Sequence, residues 1–83
     1  MSLAVQHYLD MCDVYRKSAR DHAKMALRWT LAYFAERGQP PTTYQRDDLA
    51  MFERMARSRH ALATQAEETA DRWLDKAIGA ASR

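Results

Sequence analysis

The segment Arg37-Gly38-Gln39-Pro40-Pro41-Thr42 decides the fold, because it interrupts two long stretches that otherwise have helical periodicity. Gly38 offers a left-handed residue to end one helix, and two consecutive prolines cannot extend it. Outward from this break run two ladders, mostly of small residues, each stepping by seven. The first is Val5, Cys12, Ala19, Ala26 and Tyr33, and the second is Leu49, Ala56, Ala63, Ala70 and Ala77. Paired from the break outward, the position numbers of facing rungs always add to 82. That relation is the register of an antiparallel hairpin folded about residue 41. Small residues at every seventh position let two helices approach closely, and a strict heptad winds them into a left-handed supercoil.

The expected fold is therefore all-α: one helical-hairpin domain over residues 1–83, with a first helix over about 3–37, a turn at 38–42 and a second helix over about 43–78. Ser2 is placed to cap the first helix. A capping box of Thr42 and Gln45 is placed to open the second, with Asp47 and Asp48 near its positive end. From Gly79 onward the chain is expected to fray. Residues flanking the ladder give independent checks on the register. Tyr8 faces Trp73, Trp29 faces Phe52, Leu9 meets Leu74 and Arg16 meets Glu67.

Hydrophobic residues make up 47% of the 83-residue chain, more than one helix-helix contact can cover. Tyr15, Trp29, Met51, Met55, Leu62 and Trp73, together with Met11, fall on one side of the hairpin and form a partner or dimer interface. Closure into a homodimeric four-helix bundle is the expected use of that surface; a groove for another protein is the alternative. This arrangement resembles the small plasmid RNA-modulator hairpins, which dimerise into four-helix bundles and grip paired RNA loops with one face. The likeness is one of architecture and transfers no residue.

Chemistry-bearing patterns are few. The single cysteine, Cys12, lies on the inward face as a small hydrophobe and cannot form an internal disulfide. His22 and His60 come to similar levels across the seam, but alanines surround them and Arg59 is adjacent, so no metal site is expected. His22 and Arg59 read instead as half-buried polar residues that set register or face a partner chain. The acids Glu67, Glu68, Asp71 and Asp75 are interleaved with Arg72 and Lys76, as on a solvated face. There is no nucleophile with a base and no glycine-rich phosphate loop, so neither catalytic residues nor cofactors are assigned. No apolar run reaches membrane-spanning length and the N-terminus lacks a secretory pattern, which reads as a cytoplasmic protein.

Charge is uneven. Residues 16–59 hold ten bases and five acids, and the two ends are net acidic. Lys17, Arg20, Lys24 and Arg28 step by three or four along the outer face of the first helix, and Asp13 and Asp21 are spaced to neutralise part of them. With Arg54 and Arg57 they form the expected partner-binding basic face. The function this supports is non-enzymatic: a small regulator or inhibitor that occupies a surface on another protein, of the kind phages and plasmids direct at host machinery. The alternative is a nucleic-acid-binding dimer using the same basic stripe.

Overall fold

A computed structural model describes residues 2–83. Among the described residues the chain forms two α-helices and no strand, with 88% of it helical. Helix α1 runs Leu3–Arg37 and α2 runs Gln45–Ala81, folded back on each other into a rod of 63 × 12 × 12 Å. The Ser2 hydroxyl accepts from the Val5 amide at 3.1 Å, closing the first turn of α1 as its sequence position requires.

The ladder forms the seam. Among the described residues Val5, Cys12, Ala19, Ala63, Ala66, Ala70 and Ala77 are buried, while the rungs nearest the turn, Ala26, Tyr33, Leu49 and Ala56, are half-buried. Cross-helix contacts report the same register. Tyr8 and Trp73 have ring centroids 5.9 Å apart, and Trp29 and Phe52 lie at 5.8 Å. Arg16 reaches Glu67 at 2.7 Å and also Asp71 at 3.0 Å. The hydrogen bond to Asp71 holds the Arg16 guanidinium above its ordinary value, against the opposing effect of desolvation.

The turn departs from the expected chemistry. Gly38 is right-handed, with φ −78° and ψ −9°, so it ends α1 without a left-handed residue. The capping box does not form, since Tyr44 occupies the N-cap with no side-chain bond and α2 begins at Gln45. The Gln45 amide reaches across the turn and donates to the carbonyls of Glu36 at 2.8 Å and Gln39 at 3.1 Å. It therefore satisfies acceptors at and just beyond the end of α1, in place of capping its own helix. Gln45→Ala should lower stability by about 0.5–1.5 kcal/mol, the usual net worth of such a bond; urea unfolding monitored by circular dichroism reads this directly. At the other end α2 continues through Gly79 to Ala81, where fraying was expected. Ala77 is 3% exposed against Val5, and that seam contact carries the helix onward.

Candidate interaction surfaces

The seam covers little. Among the described residues no large side chain is fully buried, and the buried set consists of alanines, one valine and one cysteine. A folded monomer of 9.6 kDa exposes about 5,100 Å² by the usual scaling of area with mass. This hairpin exposes 6333 Å². The excess, roughly 1,200 Å², exceeds the ~800 Å² that a standard interface buries on each partner.

Much of the uncovered apolar area faces one way. On α1 the row Tyr8, Met11, Tyr15, Ser18, His22, Met25, Trp29 and Ala32 steps alternately by three and four, and every member is half-buried. The facing row of α2 contains Phe52, Met55, Arg59, Leu62, Ala66 and Trp73. The contacts of Tyr8 with Trp73 and of Trp29 with Phe52 place the two rows on the same side of the hairpin. Together they form one broad face running along the rod. Tyr15, Trp29, Met55 and Trp73 lie half-buried within it, Leu62 is 39% exposed, and Met51 is 38% exposed at its edge. The opposite side carries the Arg16 ion pairs.

Arg59 and His22 sit near the middle of the broad face, with Nη1 of the arginine 3.1 Å from Nδ1 of the histidine. A guanidinium can only donate, so Nδ1 accepts and the proton of neutral His22 resides on Nε2. The donor at Nδ1 also removes that nitrogen as a metal ligand, and among the described residues no cluster of metal-ligating side chains occurs. His60 falls elsewhere, in a groove of about 330 Å³ with Ala19, Ala23, Ala63 and Glu67. The Trp29 indole N–H is enclosed with no acceptor among the described residues.

The basic residues divide. Lys17, Arg20, Lys24, Arg28, Arg54 and Arg57 are all exposed, but with the seam between the helices Arg54 and Arg57 point away from the α1 stripe. Arg57 is also occupied by Glu53 at 2.8 Å, and Arg28 Nη1 lies 3.9 Å from the Met25 sulfur. Lys17, Arg20 and Lys24 form the one compact basic group on a single outer face. Asp13 and Asp21, spaced to neutralise it, make no ion pair among the described residues. The same three-four stepping continues past Lys24 to Leu27, Leu31 and Phe34, exposed at 58%, 60% and 58%. This apolar end of the row is absent from the sequence expectation, although its spacing alone reveals it.

No family model matches the chain, and no curated protein or solved structure matches it. Among the described residues no helix is long and apolar enough to cross a membrane.

Proposed function

We propose that this chain is a non-enzymatic interaction protein: two hairpins close their broad faces on each other as a four-helix bundle, and the outer basic group of α1 holds the acidic surface of a protein partner. The observation that carries the reading is the broad face itself, an eight-residue half-buried row on α1 matched by its counterpart on α2, over a seam too thin to act as a core. A second copy covers that face with the same chemistry and leaves the outer row of α1 accessible. A partner held there would lose access to its own ligands, which is how a small regulator or inhibitor acts.

The test uses Lys24, at one end of the basic group, and Arg28, the next cation along the helix. Replacing Lys24 and Arg28 together by glutamate should reduce partner capture from the native lysate at least tenfold while helicity and bundle size stay unchanged. Unaltered capture sinks the assignment. Nucleic acid is the second reading, favoured by the absence of any ion pair on Lys17, Arg20 and Lys24 among the described residues. It requires that nuclease treatment of the lysate abolish capture, and that affinity fall by about one decade per decade of salt for each phosphate neutralised.

A further inference from the structure

The outer row of α1 is banded over its length from Leu3 to Leu27, before the exposed apolar end at Leu31 and Phe34. From the N-terminal end it reads Leu3, Gln6, Asp10, Asp13, Lys17, Arg20, Lys24 and Leu27, every member exposed. Its steps alternate three and four and read the same in both directions about residue 15. We propose that this row pairs with the same row of a second copy, running antiparallel, as an interface distinct from the broad face.

Charge complementarity fixes the pairing. With facing positions adding to 30, Asp13 meets Lys17, Asp10 meets Arg20, Gln6 meets Lys24 and Leu3 meets Leu27, each contact occurring twice about the dyad. Leu3, 91% exposed and the most exposed large apolar residue described, gains a neighbour in Leu27. The neighbouring registers are less favourable. Sliding one helix by a heptad in one direction sets Asp10 against Asp13, and sliding it in the other sets Lys17 against Arg20, which the accompanying Asp13–Lys24 contact only offsets. Parallel in-register pairing places like on like throughout. Of these alignments one makes attractive charge contacts alone, and the others are repulsive or balanced.

The charges are also available. Among the described residues none of Asp10, Asp13, Lys17, Arg20 and Lys24 forms an ion pair, the one bond on the row being Gln6 Nε2 donating to Asp10 at 2.8 Å. The outer row of α2 likewise runs from bases to acids, but there Asp71 is held by Arg16 and Arg57 by Glu53. The overlap from Leu3 to Leu27 is about 36 Å long at 1.5 Å per residue. Because this row faces away from the broad face, bundles joined through it grow beyond the dimer. An acidic partner competes with the second copy for Lys17, Arg20 and Lys24, so assembly masks the group assigned above to partner binding.

A charge-swap pair tests the pairing by sedimentation velocity at low ionic strength. One variant carries Asp10→Lys and Asp13→Lys, the other Lys17→Glu and Arg20→Glu; all four positions are exposed, and circular dichroism checks that each variant stays helical. Each variant alone faces like charges across the dyad and should lose association through this row at least tenfold relative to the unmodified protein. An equimolar mixture restores both sets of opposite-charge contacts and should regain it. The proposal is overturned if the mixture associates no better than its components, if either variant alone associates as the unmodified protein does, or if the unmodified protein shows no salt-sensitive association. The bundle reading fails separately, by a monomer at high salt. In that case the same mixture still reads this row, through a monomer-dimer step at low salt.

Discussion

Replacing Met55 and Leu62 together by aspartate should dissociate the bundle, weakening self-association at least a hundredfold, or about 3 kcal/mol. Both residues lie on the broad face of α2, one half-buried and the other 39% exposed in the single hairpin. Pairing would bury two carboxylates per chain with a single cation, Arg59, one turn from each, so at least one buried charge lacks a counter-ion, and such a charge is among the most costly substitutions. Partial unfolding should follow, because the remaining hairpin has a thin seam of mostly alanines and only a few cross-helix side-chain contacts beside it. The control is Ile78→Asp, on the outer side of α2 and 57% exposed, which should change stability by no more than about 0.5 kcal/mol. Analytical ultracentrifugation with a parallel thermal melt separates the two variants, and equal behaviour would remove the broad face as an interface.

The second large effect belongs to the seam. Ala70 is completely covered and faces Cys12, itself 5% exposed. Ala70→Leu introduces three carbon atoms where the helices approach, and neither helix can yield without lifting the neighbouring rungs at Ala63 and Ala77. The expected cost is at the upper end of the 1–3 kcal/mol typical of overpacking, which for a chain of this length lowers Tm by roughly 10 °C or more. Ala61→Leu, the same change on the exposed outer side of α2, should leave Tm within a few degrees, since leucine and alanine are both strong helix formers. The contrast between the two leucines isolates close approach from helix propensity. Similar melting of both would mean that the seam tolerates bulk and that the small-residue ladder does not set the helix separation.

The register was legible because two ladders with a common period leave one way to fold about residue 41, and the flanking pairs obey the same arithmetic. The Arg16–Glu67 and Trp29–Phe52 contacts follow from it. The turn was not legible, because its chemistry is tertiary. Gln45 closes the end of α1 from nine residues beyond Glu36, and no local pattern announces that the amide points across the turn in place of back along its own helix. Gly79 misled for a related reason: glycine weakens a helix locally, yet packing of Ala77 in the seam outweighs that preference. The basic face was legible as a list of exposed residues but not as a surface. Only the position of the seam shows that Arg54 and Arg57 point away from Lys17, Arg20 and Lys24. The apolar continuation at Leu27, Leu31 and Phe34 shared the spacing of the charged stripe, and following charge alone hides it.

In the proposed bundle this hairpin is half of a structure. Its seam is lined mainly by alanines, its aromatic and methionine side chains remain half-covered, and the outer row of α1 carries charges unpaired among the described residues. Sedimentation equilibrium of the unmodified protein at about 0.5 M salt tests this most directly, because contacts between exposed charges are then screened within a few ångströms while apolar association persists. The predicted result is a single species of twice the 9.6 kDa chain mass, whose melting temperature rises with protein concentration. A cooperatively folded 9.6 kDa monomer, melting at one temperature across that range, would contradict it.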